Sequence, residues 1–434
     1  MSRYRFRLED YHAIRKADID IDGITVLAGP NGCGKSTVAR WLDFCVTTLT
    51  DYEGFVDSRL RSDIRKIMFR LERSLRSLRG TDIKRKIEIT RQIQRVSETV
   101  QADELIDLSR SLLDDVTDYI SENITRPEYE NGIERFQDYF GLDRVEAEDE
   151  TSLCKRISES LHGQLDSVVA MREDRFANQS QENFAEALKV LVDPMVDDYL
   201  IKLTINFYED GTDLLGESFK VPLMLDRSIY LNTQSLGRAL DEDGSRFGRM
   251  LNEKAEEVPE NAERVAAVIK LIINGEVSEE KDELPFSRRK KLQYVRKDGM
   301  KIYLKGAATG IISFSYILRL LENGWITKET LLVIDEPEAH LHPQWIVDYA
   351  RVLVLISKEI GAKIVISSHN PDMVAAVQSV SRKEGILDKV HFYVAEETEK
   401  GSQRYDYRDL GQEIGPIFDS FNIALDRIAI YGEE

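Results

Sequence analysis

Short runs of β-branched and aliphatic residues mark the strands that the sequence predicts. Residues 18–28 (DIDIDGITVLA) first alternate between polar and apolar side chains and then become apolar up to the end of the run, as in a strand buried on both faces. Two similar runs, TLLVID at 330–335 and AKIVISS at 362–368, each follow a stretch of helical periodicity. Because strands alternate with helices, we predict an α/β fold with a parallel sheet, which KVHFYVAEE at 389–397 extends.

Two other patches have the pattern of antiparallel strands. One covers residues 200–225, where LIKLTINFYEDG precedes SFKVPLML. The other covers residues 292–306, where Lys297, Asp298 and Gly299 give a turn signal. We therefore expect antiparallel strands in addition to the parallel ones.

The segment from 51 to 195 is predicted to be helical. Gly80 and Thr81 interrupt its pattern before apolar positions resume at Ile83, so a helical hairpin is the simplest shape. The pattern leaves open whether this hairpin projects as a coiled-coil arm or packs on the body. Apolar residues three and four positions apart form the first helical face, namely Leu60, Ile64, Ile67, Leu71, Leu75 and Leu78.

Charge is distributed unevenly along the chain. The 434 residues carry a formal charge of −19 from 78 acidic and 59 basic side chains, which disfavours non-specific adhesion to DNA or an anionic membrane. Residues 59–96, however, hold 13 basic and 4 acidic side chains, a local charge of +9 that leaves −28 for the remainder. This segment is either a surface for DNA, RNA or an acidic partner or an ordinary solvated helix face.

Cysteine usage and hydropathy indicate the compartment. Cys33, Cys45 and Cys154 are odd in number and never spaced as CxxC, so neither a disulfide framework nor a cysteine zinc site is predicted. The first 20 residues lack the apolar run of a signal peptide, and no apolar stretch is long enough to cross a membrane. We expect a soluble, cytoplasmic protein without a membrane partner.

A glycine-rich stretch directly follows the first buried run. Residues 29–37 read GPNGCGKST and match GxxxxGK[ST], the phosphate-binding P-loop, between a strand and a helix. We expect Lys35 to neutralise the β- and γ-phosphates of ATP, Ser36 to ligate Mg²⁺ and Thr37 to donate to a phosphate. The predicted ATP-binding residues of this loop are Asn31, Gly32, Gly34, Lys35, Ser36 and Thr37.

Acidic residues end the second buried run, in LLVIDEPEAHLHP at 331–343. Asp335 stands where a P-loop ATPase needs its second Mg²⁺ contact, and Glu336 is then placed as the general base that activates water. His340 and His342 are two residues apart between prolines, which favours loop packing or a dimer contact over a zinc site.

A histidine ends the third buried run. His369 follows Ser368 at the carboxyl end of a strand predicted to lie in the same sheet as Asp335. Its position allows it to reach the γ-phosphate and hold the attacking water. We predict that His369 is a γ-phosphate sensor and a second catalytic residue.

These motifs together resemble those of ABC-type P-loop ATPases of the AAA family, within their SMC-like and OLD-like group. The resemblance covers residues 1–50 and 196–434, implies an ABC-ATPase head with a mixed β-sheet core flanked by helices, and leaves 51–195 as a helical insertion. In such proteins two heads sandwich two ATP molecules, each capped by the other head's signature motif. Thr309 and Gly310 stand at the signature position here, although the sequence departs from LSGGQ.

The same resemblance extends to the ATPase subunits of the Septu and retron-associated anti-phage systems. It implies a homodimer or higher oligomer that senses or regulates a separately encoded effector, expected to be a nuclease. The chain has no acidic-cluster nuclease segment after its last strand, so we expect no nuclease site of its own. Gln234 is a weak candidate for a Q-loop, and Tyr11 is either an adenine-stacking residue or a core tyrosine.

Three other functions remain open from the sequence. One is a DNA-repair ATPase that acts on DNA ends through the basic residues 59–96. Another is an assembly scaffold that holds nucleotide without turnover, because the signature is altered. A transporter ATPase is disfavoured by the long insertion and by the signature.

Overall fold

In the computed structural model the chain forms two compact units, residues 1–50 with 180–434, and residues 51–179. The predicted boundary at 195/196 lies outside the described residues. The structure describes residues 3–77, 83–99, 101–123, 134, 137–138, 140–143, 149–177, 204–216, 220–232, 246–281, 290–339 and 341–421.

The strands of the described residues all lie in the first unit. Those of the described residues are β1 (Tyr4–Tyr11), β2 (Ile14–Ile21), β3 (Ile24–Ala28), β4 (Thr204–Glu209), β5 (Thr212–Asp213), β6 (Arg227–Asn232), β7 (Gly275–Lys281), β8 (Lys290–Arg296), β9 (Lys301–Tyr303), β10 (Thr330–Asp335), β11 (Lys363–Ser368), β12 (Val390–Glu397) and β13 (Tyr405–Asp409).

Ten of these strands form one mixed sheet in the described part of the chain, in the order β5-β4-β1-β2-β13-β12-β3-β11-β10-β6. From β12 to β6 the neighbouring strands are parallel, whereas β1 pairs antiparallel with β2 and β4. Every residue of β3, β10 and β11 is buried, which explains their continuous apolar runs. The predicted α/β fold with a mixed sheet is confirmed.

The first predicted strand is in fact two strands. Residues 18–28 contain the end of β2 and all of β3, separated by a turn at Gly23 with φ +86°. A side chain at Gly23 would lie 2.5 Å from the carbonyl oxygen of Lys389. The chain therefore reverses at a position where only glycine fits.

The second antiparallel patch forms a sheet of its own. In the described residues β7, β8 and β9 are arranged antiparallel in that order. Asp298 and Gly299 form the turn between β8 and β9, and the Gly299 N–H donates to the Arg296 carbonyl at 2.9 Å. This confirms the predicted antiparallel strands and the turn between them.

Helices cover the main sheet of the first unit and form the second unit. Two of them begin with proline after a capping side chain: Asn370 accepts a hydrogen bond from the Asp372 N–H at 2.7 Å, and His342 caps the other. The helices of the described residues are α1 (Lys35–Thr50), α2 (Tyr52–Ser77), α3 (Ile83–Glu98), α4 (Ala102–Ser121), α5 (Glu150–Ala177), α6 (Arg246–Asn252), α7 (Ala262–Ile272), α8 (Thr309–Glu322), α9 (Pro343–Leu355), α10 (Pro371–Glu384) and α11 (Gly415–Phe421).

The second unit is a helical bundle. Helices α2 to α5 contribute to one shared apolar cluster. The predicted face of α2 lies inside that cluster from Leu60 to Leu75, whereas Leu78 lies outside the described residues. The simple two-helix hairpin is replaced by at least four helices, because α4 and α5 cover apolar faces that a hairpin would leave exposed. In the described part of the chain no helix is long and apolar enough to cross a bilayer.

Candidate functional site

The candidate functional site lies at one edge of the main sheet. Strands β3, β11, β10 and β6 are neighbours and parallel, so their carboxyl ends meet at this edge. The glycine-rich loop follows β3, Glu336 follows β10 and His369 follows β11. Strand order therefore brings the glycine-rich loop at residues 29–37 together with Glu336 and His369, which lie far from that loop in the chain.

The glycine-rich loop encloses the amino group of Lys35. This side chain is buried, and its Nζ donates to the carbonyls of Gly29 and Pro30, both at 2.9 Å. Gly34 has φ +95°, and a side chain there would lie 2.6 Å from a carbon of Ile14. The loop is thus a tight cradle with a positive charge at the start of α1, where the helix dipole also favours an anion.

Asp335 accepts hydrogen bonds from four side chains. Its Oδ1 accepts from the Ser36 hydroxyl at 3.0 Å and, at shorter range, from the Ser367 hydroxyl. Its Oδ2 accepts from the Tyr230 hydroxyl at 2.9 Å and from the Asn232 amide at 3.2 Å. These contacts satisfy a carboxylate that is only 2% exposed.

Tyr230 and Asn232 belong to β6, and the sequence analysis did not identify them. Burial, and then the charge of Asp335, raise the pKa of Tyr230 to about 12. The phenol therefore stays protonated at neutral pH and donates to Asp335. Arg40 on α1 donates in turn to the Tyr230 hydroxyl at 3.4 Å. The sequence signal for Tyr230 and Asn232 is the polar end of the run SIYLN, which is typical of a strand end. The pairing of this strand with β10, however, is not visible in the sequence.

The pair of Ser36 and Asp335 fits a magnesium ion. Mg²⁺ prefers octahedral oxygen ligands at about 2.0–2.1 Å, which places adjacent ligands about 3.0 Å apart. The hydroxyl and Oδ1 are separated by 3.0 Å, so the two oxygens already match one edge of that octahedron. No group of three His, Cys, Asp or Glu side chains with metal-site geometry occurs in the described residues. The donor set thus suits an ion that takes its other ligands from phosphates and water.

Glu336 has a strained backbone beside this pair. Its φ is +52°, and its N–H donates to the Ser367 carbonyl at 2.9 Å. A non-glycine residue in this region costs about 1–3 kcal/mol and persists where the surroundings hold it, often at functional sites. Its Oε1 lies 3.4 Å from Nδ1 of His369. The predicted base and the predicted sensor are therefore adjacent.

Glu338 is a further residue that sequence analysis missed. Its Oε1 lies 3.4 Å from Nδ1 of His369 and accepts a hydrogen bond from the Ser368 hydroxyl at 2.7 Å. Burial raises the pKa of Glu338, and the bond from Ser368 partly offsets this. Nothing in the sequence distinguishes Glu338 from the other acidic residues at the end of β10 and in the loop after it.

A cavity of about 280 Å³ opens beside these groups. His12 also lines it, from the turn between β1 and β2, and sequence analysis had given this residue no role. Six predicted loop residues and the predicted base therefore share one cavity. The predicted residues that line it are Asn31, Gly32, Gly34, Lys35, Ser36, Thr37 and Glu336.

The signature candidates occupy another place in the first unit. Thr309 is the first residue of α8, the helix that precedes β10. At Gly310 a side chain would meet the Trp345 ring at 2.6 Å. Neither residue is among the described lining of the cavity.

The remaining candidates are structural or lie outside the described residues. Tyr11 is 7% exposed and packs edge-on against Trp41 with ring centroids 5.4 Å apart, as a core tyrosine does. His342 caps α9, its Nδ1 accepting from the Gln344 N–H at 3.4 Å. Gln234 and His340 lie outside the described residues.

Comparison with known proteins agrees with this geometry at the level of a family. The family model described as AAA ATPase domain matches residues 4–374. Comparison with curated proteins gives no significant match.

Several solved structures show a distant similarity to this chain, at low identity and low TM-score. An Smc head bound to the C-winged helix domain of ScpA is 11% identical, with a TM-score of 0.42 over 94% of this chain and 97% of that chain. The SMC head domain from Thermotoga maritima is 10% identical, with a TM-score of 0.34 over 94% and 99%. An ATP-binding cassette of an ABC transporter in its ADP conformation is 12% identical, with a TM-score of 0.35 over 97% and 98%.

Proposed function

The chain belongs to the AAA ATPase domain family, and we propose that it binds ATP with Mg²⁺ in the cavity beside α1 and hydrolyses the γ-phosphate bond. One observation carries this proposal. The Ser36 hydroxyl and the Asp335 carboxylate lie 3.0 Å apart at the mouth of the loop that holds Lys35. A magnesium–nucleotide complex needs this combination of a hydroxyl, a carboxylate and a lysine.

The loop residues bind the phosphates. The Lys35 amino group, which donates to two loop carbonyls in this structure, turns to the β- and γ-phosphate oxygens when ATP is present. Asn31, Gly32 and Gly34 line the cavity and present backbone N–H groups to the same phosphates. When bound, Mg²⁺ supplies charge neutralisation of the phosphate oxygens, and Ser36 and Asp335 would hold it.

Glu336 and His369 act on the attacking water. The Glu336 carboxylate lines the cavity next to Ser36 and accepts the proton of the water that attacks the γ-phosphorus. His369, with Nδ1 3.4 Å from that carboxylate, orients the water and contacts the γ-phosphate through its other ring nitrogen. The positive φ of Glu336 supports this role, since backbone strain of this kind is often retained at functional sites.

The experiment is a magnesium-dependent phosphate-release assay combined with nucleotide binding. We expect E336Q to bind ATP as the wild type does and to lose turnover, and K35A to lose binding. E329Q is the matched control, because Glu329 precedes the same strand at its opposite end. Turnover of E336Q at the wild-type rate contradicts the base assignment. ATP that stays bound through purification without phosphate release favours the scaffold function instead.

We further propose that two copies sandwich ATP. Thr309 stands at the start of α8, is partly exposed and is not among the described lining of its own cavity, which leaves its hydroxyl available to a nucleotide on another copy. Gly310 is buried beside Trp345 and lets the start of the helix pack closely there. With ATP, E336Q should have twice the chain mass of 49.8 kDa in light scattering. T309R should stay monomeric while its affinity for ATP is retained. Monomeric E336Q at saturating ATP contradicts the sandwich.

The biological role that we propose is regulation of a separately encoded effector, a nuclease, in bacterial anti-phage defence. It rests on the resemblance of GPNGCGKST, LLVIDEPEAHLHP and ISSHNP to the motifs of ATPase subunits in such systems. Phage plating on cells that carry the native locus, with wild-type protein or K35A, tests this role. Equal plating efficiency with and without the intact locus, across a panel of phages, contradicts it.

A second candidate function is an ATPase that acts on DNA ends. It is favoured by the exposed basic side chains of α2 and α3, of which Lys66 is 58% and Arg91 is 73% exposed. The test is DNA stimulation of ATP hydrolysis in wild type and in a K66E/R70E/R73E variant. Arg65 is better left intact, because it donates to the Ser97 carbonyl at 3.0 Å and joins α2 to the end of α3. Absent or salt-insensitive DNA binding contradicts this function.

A further inference from the structure

Glu338 is an acidic side chain that turns back into the protein instead of facing solvent. The residue is 5% exposed although it lies in the loop after β10. Its Oε1 accepts two hydrogen bonds from the end of β11, one from the Ser368 hydroxyl at 2.7 Å and one from the His369 N–H at 3.0 Å. One carboxylate oxygen thus fixes both the backbone at His369 and the residue before it.

The same oxygen also faces the imidazole of His369. Nδ1 lies 3.4 Å from Oε1 of Glu338 and 3.4 Å from Oε1 of Glu336. Within the described residues, neither Nδ1 of His369 nor the second oxygen of Glu338 has a hydrogen-bond partner, although both atoms are buried. A buried carboxylate oxygen without a hydrogen-bond partner lowers the stability of the folded protein. We therefore expect Glu338 to have a function that compensates for this cost.

The ring geometry defines that role. Because Nδ1 faces two carboxylates, Nε2 is on the opposite edge of the ring, and the side chain is 40% exposed. We infer that Glu338 is a positioning residue, which holds the main chain and the ring of His369 so that Nε2 meets the γ-phosphate of ATP. This inference rests on the proposed ATPase function.

Steady-state kinetics form the first test. E338A should lower kcat by about tenfold to 100-fold, the loss expected when a catalytic group is misplaced by about 1 Å, with KM for ATP unchanged. E338Q keeps an acceptor oxygen for Ser368 and the His369 N–H, so its kcat should stay within about threefold of wild type. E338D keeps the charge but shortens the side chain by one methylene group, so its kcat should fall as that of E338A does. E329A is the control with unchanged activity.

A double-mutant cycle shows whether Glu338 acts through His369. E338A combined with H369A should be no slower than H369A alone, because the positioned group is already missing. A further loss in the double variant overturns the inference, since Glu338 then acts independently. Equal kcat in wild type, E338A and E338D also overturns it.

Nitrogen NMR of ring-labelled histidine provides a readout without nucleotide. The His369 ring resonances, assigned by their absence from H369A, should shift in E338A and E338D. Unshifted resonances in E338D overturn the inference. If E338A does not fold, as judged by circular dichroism, E338Q and E338D still decide the matter. A wild-type protein without ATPase activity overturns the proposed function and this inference together, whereas active, unperturbed E338D overturns the inference alone.

Discussion

The Y230F substitution tests the surroundings of the proposed magnesium site. It removes the hydroxyl that donates to Oδ2 of Asp335 at 2.9 Å and leaves the ring in place. A hydrogen bond to a charged group contributes about 1.5–3 kcal/mol, or roughly tenfold to 100-fold in an equilibrium constant. Since Asn232 still donates to the same oxygen at 3.2 Å, we expect the lower end of this range. The Mg²⁺ concentration for half-maximal ATP hydrolysis should therefore rise about tenfold, as for other groups that orient metal ligands.

The assay is a titration of Mg²⁺ at a fixed, saturating ATP concentration. Y4F is the matched control, because Tyr4 also donates from a buried hydroxyl to a carboxylate, that of Glu209, but on β1. Y4F should lower thermal stability and leave the Mg²⁺ dependence unchanged. A Y230F profile that overlays the wild type, or an equal shift in Y4F, refutes the proposed coupling between Tyr230 and the metal.

Three further predictions concern stability, measured by chemical denaturation. G34A should destabilise the protein by about 1–3 kcal/mol more than G32A, because both glycines have positive φ but only Gly34 has a neighbour within contact distance of an added side chain. I64A should lower the stability of the helical bundle by about 2–5 kcal/mol, because Ile64 is fully buried in its core. Burial raises the pKa of Glu338 in the folded protein. The protonated Glu338 therefore contributes its full free energy of folding below the ordinary pKa of 4.5, and this contribution is lost as pH rises through the pKa of the folded state. E338Q, which does not titrate, should therefore gain stability relative to wild type as pH rises above 4.5.

Each of these predictions has an outcome that contradicts it. Equal destabilisation by G34A and G32A would show that the loop widens without penalty. F69A, at a residue that is 64% exposed, is the control for I64A and should change stability by less than about 0.5 kcal/mol. A pH-independent difference between E338Q and wild type would show that the carboxyl of Glu338 has an ordinary pKa in the folded protein.

Local patterns in the sequence were sufficient for much of the site. The P-loop is defined by consecutive residues between a strand and a helix, so its glycines, Lys35 and Ser36 could be assigned without knowledge of the fold. Asp335 and His369 could be proposed for a similar reason, because each stands at the end of a continuous apolar run. The structure places these residues at one sheet edge, where parallel strands end together.

Other parts of the molecule depended on which segments pack together. The apolar face of α2 was visible in its spacing, but the number of helices that cover it was not, since any apolar face can pair with several partners. The strand predicted at 18–28 is two strands separated at Gly23. The sequence did not reveal this turn, because both turns and strand interiors can contain glycine.

The sequence by itself determined which chemical groups the proposed site contains: a glycine-rich loop with a lysine, an acidic strand end and a histidine, each within a short run of consecutive residues. Only the tertiary structure decided how those groups are held. Tyr230 reaches Asp335 because β6 lies beside β10, and Glu338 holds His369 because β10 lies beside β11. The physical reason is that a buried polar group must find its hydrogen-bond partners in space, and strand order, not position along the chain, sets which residues are near.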